Sequence, residues 1–431
     1  MIDHMKGFTI ATTIFFLVFS AQAQVLSVKE QAVTINEVLT DRIDNLLPKL
    51  MDEAKIDCWL IISREYNEDP ILKTFLPAEW LSARRTTMLV FYRDKKNESI
   101  HSYAIARYQV GKRIQAAWNP EKEPNQWKAL SKLIDSLNPN QIALNTSKDY
   151  GHADGLHHTE FNELNNAMSP NLLKKIVSAE KLGVAWLETR TEKEMTFFPT
   201  LLAISHQIIK EGFSNKVIQP NKTTTNDLVW WFRQKVSDLG LSTWFHPSVE
   251  IQRRESNEKD AIIRRGDLLH VDFGISYLRL NSDVQEHAYV LLPNEKTAPA
   301  ELVAAFNKTN RLQDILTSNF KTGRTGNEIL AASLNQAKAE GIQASIYTHP
   351  IGFHGHAAGT TIGMWDMQQG VPGSGDYAMR PNTCYSIELN ATHTISGWDR
   401  PVRIALEQNG CYNGSSFDYL DGRQKTILLI Q

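Results

Sequence analysis

Residues 266–292, GDLLHVDFGISYLRLNSDVQEHAYVLL, read as two apolar strands joined by a short turn region. Asp272 falls inside the first strand, directly after Leu-Leu-His-Val. Aspartate is depleted in strands, and a buried carboxylate is costly unless it is paired or bound to a cation. Asp283 follows eleven residues later, near the start of the second strand. In a hairpin of this length the two carboxylates are expected to face each other across the pair. The same anomaly recurs twice downstream. NTCYSIELNATH carries Glu388 within a strand-like run, and PVRIALEQNGCYNG carries Glu407 at the end of another. A lone glutamate on a strand normally points to solvent. Four acids in this pattern instead predict a fold that gathers negative charge at one place.

Between the two pairs lies YTHPIGFHGHAAGTTIG, residues 347–363, with His349, His354 and His356 among glycines. Several carboxylates meeting in one pocket repel strongly without cations. A mostly oxygen donor set with one imidazole suits two divalent ions, Mn or Zn.

This ordered set resembles the peptidase family M24 superfamily of methionine aminopeptidases, prolidases and aminopeptidases P, with its pita-bread catalytic fold. The family has two Asp eleven residues apart, a His in a G-H-x-x-G loop, a strand Glu and a final Glu; here these are DFG…SD, GHAAG, SIELN and VRIALEQNG. The resemblance implies that Asp272, Asp283, His356, Glu388 and Glu407 ligate two divalent ions, with Asp283 and Glu407 bridging. Glu388 would also exchange a proton with the bridging water. His354 is the alternative ligand, and His349 and His354 are the expected catalytic, substrate-facing histidines. The implied reaction is hydrolysis of the N-terminal peptide bond of small peptides by a metal-bridging hydroxide. That describes an aminopeptidase or dipeptidase of the Xaa-Pro type, with a homodimer expected by analogy alone. The resemblance also leaves a creatinase-like hydrolase or a binding protein on the same fold as alternatives.

Three departures bear on substrate recognition. The family carries a His about seventeen residues before the first Asp, where this chain has Arg254 and Glu255. It carries a second His seven residues beyond the ligand His; counted from His356, that position is Gly363. Its second Asp is often followed by Thr-Arg, where this chain has Val-Gln-Glu-His.

The rest of the chain sets the context. From Asp41 to about Lys181 short strands (DCWLIIS, TTMLVFY, SYAIARY) alternate with helical patterns (RIDNLLPKLMDEA, QWKALSKLIDSL), predicting an α/β domain similar to the creatinase N-terminal domain. With the pita-bread resemblance, this gives an α/β N-terminal domain over 24–184 and an α+β catalytic domain over 185–431. Thr191 with Glu194, and Thr224 with Asp227, predict capped helix starts, and Pro199 predicts a kink. Residues 1–23 read as a secretory signal: Lys6, an apolar run from Phe8 to Phe19, then Ala21-Gln22-Ala23. The expectation is an exported protein, periplasmic or secreted, not held in a membrane after cleavage. A formal net charge of -2 predicts no recruitment of nucleic acid. Of the three cysteines, Cys384 and Cys411 are candidates to pair, but buried free thiols are the favoured expectation for all three, Cys58 included.

Overall fold

The computed structural model describes residues 25–255 and 261–431. The signal-like segment lies outside the described residues. The N-terminal part is built on a six-stranded sheet. Strand Cys58–Arg64 sits centrally, antiparallel to Thr86–Asp94 on one side and parallel to Ile142–Leu144 on the other. Its side chains alternate between two cores. Trp59 and Ile61 pack with Phe75, Leu89 and Phe91, while Cys58, Leu60 and Ile62 pack with Met88, Val90 and the helix Gln126–Leu137. A strand buried on both faces reads as a continuous apolar run, which is why CWLII lacks polar alternation.

The boundary expected between residues 184 and 185 falls inside the helix Glu180–Glu188. Trp186 of that helix stacks on Phe75 at 4.3 Å and belongs to the N-terminal core. The chain then enters the second part through a short helix, Glu192–Met195, held by the Thr191–Glu194 capping box. Pro199 does not kink a long helix. It occupies the first turn of a new one, Phe198–Gly212, where its missing N–H costs nothing. Thr224 and Asp227 likewise cap Thr225–Asp238.

The second part pairs two helix-on-sheet layers. Helices Phe198–Gly212 and Thr225–Asp238 cover strands Leu268–Phe273 and Val284–Val290 through Val271, Phe273 and Val284. Helices Ala300–Ser318 and Gly326–Ala339 cover strands Leu389–His393 and Val402–Leu406 through Leu389, Ile404 and Leu406. The layers meet where Gln285 and Glu407 exchange backbone hydrogen bonds. Each sheet thus buries its apolar face under helices and turns its polar residues toward the other sheet.

Cys384 and Cys411 form a disulfide, correcting the expectation of free thiols. They stand directly opposite on antiparallel strands Thr383–Ser386 and Asn409–Tyr412. Cross-strand register is invisible in sequence, and it alone brings the two sulfurs together. Cys58 is a buried free thiol.

Candidate metal centre

Two antiparallel pairings place the acids. In the first, Leu268–Phe273 pairs with Val284–Val290 so that Asp272 lies opposite Gln285. The turn holds Leu278 and Arg279, both at positive φ (51° and 68°), between the paired residues Tyr277 and Leu280. The Arg279 guanidinium donates to the Leu76 and Pro77 carbonyls at 2.5 and 3.1 Å, which holds this turn without glycine. Asp283 is therefore not directly across from Asp272, as expected, but one diagonal step away. Period-two alternation still puts both on one face.

In the second pairing, strand Thr383–Ser386 faces Asn409–Tyr412, and Leu389–His393 faces Val402–Leu406. Both ladders keep the same register, so Glu388 stands opposite Glu407. Two like charges directly across a strand pair are destabilising unless something neutralises them. The neighbouring pairings Ile346 with Leu389 and His349 with Ser386 extend that register, so Tyr347, His349, Glu388 and Glu407 share a face.

The side chains converge accordingly. Donor atoms of Asp272, Asp283 and Glu407 lie within 4.8 Å of one another, as do those of His349, Glu388 and Glu407, and those of Asp283, His349 and His356. His349 Nε2 is 3.6 Å from Glu407, 3.8 Å from Asp283 and 3.9 Å from Glu388. His349 Nδ1 donates to the Pro350 carbonyl at 3.0 Å, which leaves the Nε2 lone pair aimed at the carboxylates.

His356 occupies the rim, exposed, with its ring 4.8 Å from His349 and 5.2 Å from Trp244. Desolvation by the surrounding walls, with His349 beside it, pushes its imidazole down to about 4. His354 points elsewhere. Its ring packs at 4.3 Å on His152 of the N-terminal part, and burial, then His152, push it down to about 3. The sequence offset puts the ligand at His356, whose donor atom comes within 4.8 Å of Asp283 and His349; the strand register carries His349 deeper, among three carboxylates. The reason for the difference is visible in the loop. H-x-x-G occurs twice, as His349-Pro-Ile-Gly352 and His356-Ala-Ala-Gly359, and only strand pairing distinguishes them.

A polar frame holds the carboxylates. Gln285 Nε2 donates to Glu388 Oε1 at 3.0 Å and to Glu407 Oε2 at 2.8 Å, while its Oε1 meets His270 Nε2 at 2.9 Å. Ser386 Oγ donates to Glu407 Oε1 at 2.6 Å. Asn409 Nδ2 donates to the Asp283 carbonyl at 2.8 Å and to Ser386 Oγ at 2.8 Å. Sequence patterns do not single out Ser386 or Asn409. A signal for Gln285 does exist: it sits two residues after Asp283, on the same face of the same strand, where the family often has Arg. Arg254 lies away from the cage, donating to the Tyr289 hydroxyl at 3.3 Å.

The charge is uncompensated. Burial, then Glu407, raise the carboxyls of Asp272, Asp283 and Glu388 well above the usual range. Asp272 Oδ1, Asp283 Oδ1 and His349 Nε2 are buried with no hydrogen-bond partner. Orphaned acceptors facing one another fit divalent cations and fit little else.

No curated protein matches the chain by sequence. An X-Pro aminopeptidase from Thermotoga maritima MSB8 superposes with a TM-score of 0.63 at 14% identity, covering 88% of this chain and 99% of its own. A Xaa-Pro dipeptidase from Bacillus anthracis gives 0.61 at 15% identity, covering 92% and 99%. The N-terminal domain of the FACT complex subunit SPT16 from Cicer arietinum gives 0.57 at 10% identity, covering 94% and 100%. These likenesses are of fold, and they establish the two-part architecture of an N-terminal α/β domain and a pita-bread catalytic domain. Residues 201–411, which hold every member of the carboxylate–histidine cluster, match the Metallopeptidase family M24, and that segment is of M24 type.

Proposed function

We propose that this chain is an exported, dinuclear-metal aminopeptidase or dipeptidase that hydrolyses the N-terminal peptide bond of small peptides, of the Xaa-Pro type. The observation that carries the reading is the set of buried, unpartnered donor atoms on Asp272, Asp283 and His349 facing Glu388 and Glu407. In this reading Asp283, His349, Glu388 and Glu407 would hold one ion, and Asp272 with Asp283 and Glu407 would hold the other. Two divalent ions, Mn or Zn, would supply a water acidic enough to serve as nucleophile at neutral pH.

The chain's own groups account for the remainder. Gln285 and Ser386 aim the two glutamates, and the Pro350 carbonyl sets the His349 tautomer. Glu388 is less enclosed than Glu407, so it is the carboxylate that accepts and returns a proton at the substrate side. His356 lies seven residues beyond His349, the family's spacing for its second histidine, so Gly363 is no longer a departure once His349 is the ligand. At the rim and neutral, His356 is placed to meet a substrate carbonyl oxygen. The Xaa-Pro preference draws on the aminopeptidase and dipeptidase neighbours. Export draws on the signal-like residues 1–23 and on the disulfide, which is at home in oxidising compartments.

The test is direct. Purified protein is analysed for bound metal and assayed on dipeptides with and without proline in Mn or Zn. Metal uptake near two ions per chain with cleavage of Xaa-Pro bonds is expected, and Asp283→Asn abolishes both. Absence of metal uptake, or full activity in Asp283→Asn, refutes the metallopeptidase; activity confined to non-proline bonds refutes the Xaa-Pro assignment alone.

A further inference from the structure

The N-terminal domain holds a cavity of about 810 Å³ whose walls include Trp80, Arg84, Arg85, Arg107, Tyr108 and Trp118. Its residues all precede the family-matching segment 201–411, and none belongs to the carboxylate cage. The volume is that of a small-molecule site.

The charge in it is one-sided. Three guanidiniums face one carboxylate, that of Glu65. Glu65 is already engaged, its Oε2 accepting the Arg85 backbone N–H at 3.1 Å. The nearby Glu68 is engaged too, its Oε1 accepting the N–H groups of Tyr66 and Ala83 at 3.1 and 3.0 Å. Among the described residues, the side chains of Arg84, Arg85 and Arg107 have no ion pair and no hydrogen bond. The Gln126 amide donates to the Thr86 and Ile105 carbonyls at 2.9 and 2.6 Å, so it closes the wall and offers no free donor.

Aromatic rings orient two of the guanidiniums. Arg84 lies 4.4 Å from the Trp80 ring centroid and 5.5 Å from that of Tyr108, and Arg107 lies 5.6 Å from that of Trp118. Contact with a ring occupies the face of a guanidinium and leaves its in-plane N–H edge free, the edge that grips carboxylate or phosphate oxygens in pairs. Arg85 is held at φ 52° and Tyr66 at φ 69°, left-handed positions that side chains adopt at a cost.

We propose that this cleft binds a small polyanion, a phosphate ester or a di- or tricarboxylate, gripped by Arg84, Arg85 and Arg107. Three forked donors demand more than one anionic group, and 810 Å³ leaves room for the body that carries them. The site is independent of the peptidase reading.

Titration calorimetry on the full chain, stripped of metal so that the carboxylate cage takes no anion, tests it with pyrophosphate, citrate and acetate. Saturable binding of pyrophosphate or citrate is expected, with Kd on the order of 1 mM or tighter and weakening as salt rises. Pyrophosphate alone identifies a phosphate ligand, and citrate alone a polycarboxylate. Acetate is expected not to bind. The double variant Arg84→Gln, Arg107→Gln should lose binding with an unchanged thermal midpoint. Arg107→Lys, which keeps the charge without the fork, should bind several-fold more weakly. No saturation by either polyanion, or wild-type affinity in both variants, overturns the proposal.

Discussion

At the residue scale the central question is which imidazole joins the carboxylates. His349 Nε2 lies within 3.9 Å of three of them, with its other nitrogen committed to a carbonyl. His349→Ala is therefore expected to lower metal affinity by roughly one to two orders of magnitude, the scale seen for disturbed metal shells. His356→Ala should keep its metal and lose kcat, with roughly a hundredfold loss as the scale for a positioned polar group. His354→Ala, whose ring packs on His152, should leave metal binding intact. Metal titration beside steady-state kinetics on the three variants decides it; full metal affinity in His349→Ala sinks the assignment. The acids are legible in the sequence because a carboxylate in an apolar strand needs a reason. The histidine is not, since the H-x-x-G spacing occurs twice in eleven residues.

At the scale of elements, the cage is a product of register. Glu388 and Glu407 are nineteen residues apart in sequence and opposite each other in space. The disulfide Cys384–Cys411 cross-links the same two strands one turn of the pleat before Ser386 and Asn409, which brace Glu407 and Asp283. Replacing both cysteines by serine should cost about 2–4 kcal/mol of stability. It should also weaken metal binding, because the glutamate pair loses its nearest clamp. Denaturant unfolding with and without metal checks both parts. An unaltered metal affinity would show that the hydrogen-bonded frame suffices alone. Helix starts are legible to the residue at Thr191 and Thr224, since capping is local chemistry. Pro199 is not, because whether a proline kinks a helix or begins one depends on the conformation of the residues before it.

At the scale of the whole molecule, the two parts are joined by buried charge. Glu194 accepts from Arg42 at 2.7 Å and from Arg190 at 2.8 Å, and both guanidiniums lie against Phe353, the residue before His354. Nearby, Glu188 ends the last helix of the N-terminal core and approaches Gly359, where an added Cβ would fall 2.5 Å from Glu188 Oε2. Burial pushes the Glu188 carboxyl up to about 8, against the opposing pull of Arg380. In the unfolded chain the same carboxyl ionises near ~4.3. The fold therefore favours the protonated form, and stability from this group is full at low pH and falls as pH rises from about 5 to about 8. The loss approaches ~1.4 kcal/mol per pH unit across that window and stops above it. Urea midpoints measured across that window should decline in the wild type relative to Glu188→Gln. A difference between the two that does not change with pH contradicts this.

By itself the sequence determined the chemistry available: two Asp eleven residues apart, two strand glutamates, a histidine-rich loop, and alternating patterns that build an α/β domain followed by helix-covered strands. Those are local facts, carried by spacing and by the cost of burying charge. Tertiary structure decided which histidine meets the carboxylates, that Cys384 meets Cys411, that Gln285, Ser386 and Asn409 brace the site, and that three arginines share a cleft. Each of these depends on strand register or on packing between separate segments, and a shift of one residue in register would turn the strand residues among them to the opposite face.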